Sequence, residues 1–381
     1  MSNEMKWVSM WGNAVSVNEH RPETYGKNLT LRYPIYCPFD GTKVRINFDN
    51  YCGTESVCIT KASLYVNGAF YNVLFDGMQS CSIEAGLQKT SDEIEVEVNK
   101  DDEILVSFYM QDFVELRSAV VAMGPLSSGV FAVGDMTEVL DIPKEVCNKT
   151  KNFYFLNNVS VYTDSDNKAM VCYGDSITAQ DWPDYLKLML KEKRSDGSGC
   201  GYTSVIRRAT SGSRILREYD NITYESYGLK GTRRFMHEVP TDGADTVIIQ
   251  QGINDIIHPV GIDVNPFRPM SDLPTAEELI GGLKWYIEQA RTLGYKVYVG
   301  TLLPIEGWRT YAEFRNDLRN EYNNWIRTTE LIDGVIDFDK ALCDPDNPKA
   351  FLKEYDSGDH LHPSAAGYKR MAEAAMEVIC D

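Results

Sequence analysis

The sequence predicts an α/β protein in two parts. An antiparallel β-sandwich, jelly-roll-like, is expected over residues 1–160, and a doubly wound domain with a parallel sheet over residues 165–381. Three observations predict this. Apolar residues alternate with period two up to about residue 160. Beyond it, short apolar runs alternate with segments of helical period, the pattern of a parallel sheet covered on both faces. The length of 381 residues also exceeds what one core usually fills.

In the first part, Lys43-Val44-Arg45-Ile46-Asn47-Phe48 puts Val44, Ile46 and Phe48 on one face. Glu93 to Val98 alternates charged with apolar residues, and Ile104 to Tyr109 is a further strand. Asn67-Gly68 sits between two such runs, the signal of a type I′ hairpin. The stretch at 145–168, rich in Asn, Lys and Asp, reads as a linker.

In the second part, strands are expected at Ala169–Tyr173, Ser204–Arg208, Thr246–Gln250, Lys296–Thr301 and Val335–Phe338. Asp181 caps a helix with Pro183 in its first turn. Thr275-Ala276-Glu277-Glu278 forms a capping box before a stripe of Leu279, Leu283, Tyr286, Ala290 and Leu293. The next stripe is Tyr311, Phe314, Leu318, Tyr322 and Trp325. The last, behind the N-cap Ser364, is Tyr368, Met371, Ala375 and Ile379. Trp285 and Trp325 fall on helical stripes and are expected in the core.

Composition narrows the function. Lys plus Arg number 38 against 56 Asp plus Glu, a net charge of -18, which argues against nucleic acid and anionic membranes as partners. No apolar run reaches the ~18 residues of a membrane span. The start, MSNEMKWVSMWGNAVSV, lacks the pattern of a signal peptide, and the nine cysteines show no paired spacing. Reduced thiols and a cytoplasmic location are therefore expected. Histidine and aspartate show no metal-ligand spacing, so neither metal nor cofactor is expected.

Ligands of doubly wound sheets bind beyond the C-terminal ends of the strands. Four stretches fall there: Gly174-Asp175-Ser176, Ser211-Gly212-Ser213, Gly252-Ile253-Asn254-Asp255 and Asp359-His360-Leu361-His362. A serine hydroxyl needs a base to become a nucleophile. There are five histidines, and the Asp-x-x-His spacing selects His362 rather than His360, with Asp359 to fix its tautomer. The backbone N–H groups of Ser176 and Gly212 and the amide of Asn254 are candidate donors to an oxyanion. Asp175 and Asp255 read as carboxylates that hold their loops, and Gly252 as the residue of a tight turn. His258, Trp182 and Trp308 are candidate pocket residues, because sugar rings stack on aromatic faces.

The four stretches, in this order, resemble the motif blocks of the SGNH, or GDSL-type, hydrolase superfamily. The resemblance implies a flavodoxin-like catalytic domain with Ser176 as nucleophile, His362 as base, Asp359 as its orienter, and the oxyanion donors just named. "TLLPIEGW", "NNWIRTTELIDGVIDFDKALCDP" and "YDSGDHLHPSAAGYKRMA" are similar to the subgroup that includes acetyl xylan esterases, whose members often carry an N-terminal β-domain. That implies removal of O-acetyl groups from xylan- or mannan-derived oligosaccharides through an acetyl-enzyme. Ser213 stands where many relatives carry Asn. A lipid or thioester hydrolase, an acyltransferase and a non-catalytic carbohydrate-binding protein are the rival readings. The N-terminal half shows no sugar platform in its sequence, and a homo-oligomer remains open.

Overall fold

The computed structural model describes residues 4–17, 25–195 and 203–380. The chain divides into two compact units, neither of them one continuous segment. The first is Met1–Ala169, Gly201–Arg207 and Thr241–Gly243; the second is Met170–Cys200, Arg208–Pro240 and Ala244–Asp381.

The first unit is antiparallel and strand-rich. One sheet places Leu156–Asp164 between Met5–Gly12 and Gly41–Asp49. A six-stranded sheet has Leu29–Tyr36 and Glu103–Met110 at its centre. Val44, Ile46 and Phe48 all point inward, as their period requires. The ring of Phe48 meets that of Phe108 edge-on at 5.0 Å, which joins the two sheets through one aromatic core. The hairpin forms as expected: Val66 pairs with Ala69, and Asn67 and Gly68 both take positive φ.

The expected linker is instead a strand. Leu156, Val159 and Val161 are buried, and the polar residues among them are satisfied: Asn158 donates to Ser9 and Ser160 hydroxyls at 2.8 and 2.9 Å. Its amides and hydroxyls read as loop chemistry, but paired side chains remove the cost of burying them.

The catalytic-side sheet has five strands: β1 (Lys168–Gly174), β2 (Thr203–Ala209), β3 (Ala244–Gln250), β4 (Lys296–Gly300) and β5 (Gly334–Ile336). Their order is β2-β1-β3-β4-β5, with β3, β4 and β5 parallel. This is the flavodoxin-like order, whose crevice lies between β1 and β3. The helices are α1 (Ser176–Ala179), α2 (Trp182–Ser195), α3 (Gly231–Glu238), α4 (Ile253–Ile257), α5 (Ala276–Thr292), α6 (Glu313–Thr328), α7 (Phe338–Leu342) and α8 (Ala365–Ile379). The capping box at Thr275 and the Ser364 cap both form.

Three expectations about this sheet and its helices fail locally. The fifth strand stops at Ile336, because Asp337 caps α7 by accepting from Lys340 N–H, which puts Phe338 inside that helix. Helix α6 turns a polar face inward. Phe314 is exposed, while Arg315, Arg319 and Asn323 are buried. Arg319 donates to Asp339 at 2.5 Å, and Arg315 to the carbonyls of Ile256 and Pro259. Trp285 and Trp325 are only half-buried, Trp325 beneath the ammonium of Lys284.

Among the described residues seven cysteines are free, but Cys380 is disulfide-bonded, which corrects the expectation of reduced thiols throughout. Spacing cannot reveal a pairing that only folding creates. No described helix is long and apolar enough to cross a membrane.

Truncating Phe48 to Ala should cost about 3–5 kcal/mol of stability, because it empties the seam between the two sheets. Urea unfolding of Phe48→Ala against wild type, with the midpoint as readout, measures this.

Candidate active site

β1 ends at Gly174, where a side chain would lie 2.5 Å from the carbonyl oxygen of Gln250. Only glycine lets the two strand ends approach this closely. Asp175 follows as the N-cap of α1 and accepts from Ile177 N–H at 3.1 Å. Ser176 is therefore the first residue of a short helix at the crevice.

The loop after β5 and α7 brings His362 to the serine. The Ser176 hydroxyl lies 2.9 Å from Nε2, across 186 residues of sequence. Nδ1 lies 2.7 Å from Oδ2 of Asp359. The other oxygen, Oδ1, accepts from the N–H groups of Leu361 and His362 at 2.9 and 2.8 Å and from the Ser357 hydroxyl at 3.1 Å. Partial burial opposes ionisation of Asp359, but the His362 and Leu361 hydrogen bonds outweigh it and hold the carboxyl below its usual range. An ionised Asp359 keeps the proton on Nδ1 and leaves Nε2 free to accept from serine. His360 is not on this line. Its Nδ1 is 2.6 Å from Asp356, and its backbone has φ 63°.

The loop after β2 supplies the other face. Gly212 takes φ 79°, and a side chain there would collide with the ring of Tyr227, 2.3 Å from Cδ1. Among the described residues the N–H groups of Ser176 and Gly212 have no hydrogen-bond partner. Asn254, in α4 just past β3, donates to the Ser213 carbonyl at 3.1 Å, and an amide nitrogen has a second hydrogen to offer. The three expected oxyanion donors thus sit on the loops after β1, β2 and β3.

Ser213 explains why that loop is rigid. Its hydroxyl accepts from Arg234 at 2.8 Å and Gln251 at 2.7 Å, and its N–H donates to Thr210 at 3.2 Å. Arg234 is itself paired with Glu238 through two hydrogen bonds of 3.0 and 2.7 Å, both residues fully buried. Asp255 accepts from the N–H groups of Ile215 and Leu216 at 2.8 and 3.1 Å.

Asp175 and Asp255 are both fully buried, and burial pushes their carboxyls up, to about 7 and about 6 respectively, against the hydrogen bonds that favour ionisation. Oδ2 of Asp175 has no partner. A protonated carboxyl suits that position.

The pocket candidates part company. Trp182 is fully buried against Phe338, with ring centroids 5.6 Å apart, so it belongs to the core and lines no pocket. His258 and Trp308 flank the site. His258 is buried, 4.9 Å from the ring of Tyr227, and burial followed by the charges of Arg268, Arg214 and Arg309 holds its imidazole well below its usual range. Trp308 is half-buried. Tyr219 and Tyr224 complete an aromatic group with Tyr227 that sequence reasoning missed. Its signal was present as three tyrosines in "REYDNITYESYG", directly after the second motif block. Among the described residues no group of His, Cys, Asp and Glu is arranged to hold a metal.

A serine on a hydrogen-bonded histidine and carboxylate, facing backbone and amide donors across a flavodoxin-like crevice, is the working geometry of acyl transfer. The model of the GDSL-like Lipase/Acylhydrolase family matches residues 172–370, and the chain belongs to that family. It is accordingly an esterase or acylhydrolase. Among solved structures it is similar to a GDSL-like lipase from Bacteroides thetaiotaomicron, at 18% identity over 55% of this chain and 86% of that one, with TM-score 0.38. It is also similar to a catalytic mutant of an acetylxylan esterase from Geobacillus stearothermophilus, at 19% identity over 56% and 94%, with TM-score 0.41. A third, an acetyl xylan esterase, shares 18% identity over 55% and 99%, with TM-score 0.37. No curated protein matches.

Two measurements probe the scaffold. Ser213→Ala leaves Arg234 and Gln251 facing an apolar methyl and should cost about 1–3 kcal/mol in urea unfolding. For Asp175 the folded carboxyl binds its proton more tightly than the unfolded one. Its contribution is therefore complete below about pH 4 and is lost as pH rises through about 7. Asp175→Asn, which still caps α1, should flatten that part of the stability–pH curve.

Proposed function

We propose that the protein is a serine O-acetylesterase that deacetylates xylan- or mannan-derived oligosaccharides. One observation carries the reading: the Ser176 hydroxyl, the His362 ring and the Asp359 carboxylate form one continuous hydrogen-bonded line. The sequence similarity to the acetyl xylan esterase subgroup supports the substrate class.

The mechanism follows from the geometry. Ser176 Oγ attacks the ester carbon as its proton passes to Nε2 of His362. Asp359 steadies the imidazolium that forms. The carbonyl oxygen becomes an oxyanion against Ser176 N–H, Gly212 N–H and the Asn254 amide. His362 returns its proton to the leaving sugar oxygen, and an acetyl-enzyme remains. Water, deprotonated by the same ring, attacks it, acetate leaves, and Ser176 recovers its proton. The steps need no cofactor.

Released acetate from acetylated xylo- and manno-oligosaccharides is the direct assay. Ser176→Ala should lower turnover ~10³-fold or more. Asn254→Ala should lower kcat by ~10²–10³ with little change in KM, the mark of a donor used in the transition state. In a series of p-nitrophenyl esters, acetate should be preferred over octanoate. The reverse preference would point to a lipid or thioester hydrolase.

A further inference from the structure

The edge of the site beyond Tyr227 is rich in arginine. Tyr227 leads to His258, and His258 to three arginines that pair with no carboxylate among the described residues: Arg268, Arg309 and Arg315. Arg268 donates to the carbonyls of His258 and Ile257 at 2.5 and 3.3 Å. Arg315 donates to those of Ile256 and Pro259 from the inner side. Arg315 also lies over the Phe314 ring, 4.9 Å from its centroid, and neither arginine meets an anionic partner among the described residues. Arg309 is exposed, its guanidinium 4.6 Å above the ring of Trp308. Elsewhere in the same unit surface arginines are neutralised, Arg291 by Asp333, Arg327 by Asp337 and Arg370 by Glu377. In a chain of net charge -18 such an arginine excess at one place is a local feature.

That place adjoins the turn and the helix that carry His362 and Asn254. The loop bearing Trp308 and Arg309 is anchored at both ends beside them. A side chain at Gly307 would lie 2.7 Å from Cγ of His360, in the turn that carries His362. The Thr310 hydroxyl donates to the Ile257 carbonyl at 3.0 Å, at the end of the helix that carries Asn254. Trp308 also holds a buried indole N–H with no partner.

We infer that the substrate is an O-acetylated oligosaccharide bearing an acidic sugar, whose carboxylate is received by the Arg309 guanidinium held over the Trp308 ring. A guanidinium oriented over an indole keeps its outward N–H groups for a carboxylate. Arg268 and Arg315 add to the attraction without touching the ligand. This specificity rests on the esterase reading of Ser176 and His362.

The test is binding rather than turnover. Ser176→Ala is titrated by calorimetry with acetylated xylo-oligosaccharides of equal length, with or without one uronic acid branch. The acidic ligand should bind about tenfold more tightly, and the advantage should shrink in roughly 0.5 M NaCl. Arg309→Gln in the same background should bring both ligands to one affinity, and Arg309→Lys should restore part of the difference. Equal affinities in Ser176→Ala, binding of neither ligand, or a preference that Arg309→Gln leaves intact would overturn the inference. Hydrolysis of p-nitrophenyl acetate by the wild type tests the esterase reading separately. Its absence beside an intact acid preference would sink the esterase and leave the carboxylate site.

Discussion

Two adjacent side chains at the end of β3 hold the site together. Asn254 binds the carbonyl of Ser213, and Asp255 binds the N–H groups of Ile215 and Leu216. The loop after β2 takes its path from these bonds together with those of Ser213 and Arg214. It contains Gly212 at a positive φ. Such a conformation persists only where neighbouring groups over-determine it. Here they do so from two sides, with the amide and carboxylate from α4 on one and Arg234 and Gln251 on the other. A donor aimed at an oxyanion is useful only if it is already in place before charge develops.

The same loop shows how charge is handled in this interior. Arg234 and Glu238 are paired and fully buried, a pairing that adds little net stability yet would be costly to break. Its value lies in direction, because the guanidinium can reach the Ser213 hydroxyl only from the geometry that Glu238 imposes. Where relatives in the resembled family carry Asn after this glycine, a hydroxyl served by two donors does the positioning.

Much of this was legible in the sequence because periodicity and capping are local. Period two placed Val44, Ile46 and Phe48, and a capping box placed α5. The four motif blocks were legible because they lie in short turns between elements, three of them directly after a strand, where polar residues stand out from the periodic runs. The failures have a common physical source. The strand Leu156–Asp164 and the inner face of α6 bury polar groups that are satisfied by partners far away in sequence, such as Ser9 for Asn158 and Asp339 for Arg319. Composition registers the polar group and not the partner. The tyrosines after the second block and the unpaired arginines beyond them become a surface only when the loops after β2, β3 and β4 come side by side.

The turn from Asp356 to His362 has a consequence for how the site assembles. Asp359 lies three residues from His362 and binds both its ring and its backbone. Histidine and carboxylate therefore form a self-contained cartridge whose internal geometry depends on one short piece of chain. Among the described residues, the bond from this pair that spans the fold is the one to Ser176. Loosening of α8 or of the loop before it would carry the pair away intact, and its return would need no rearrangement beyond docking. Activity would then report the closure of this segment more sensitively than any global measure of folding.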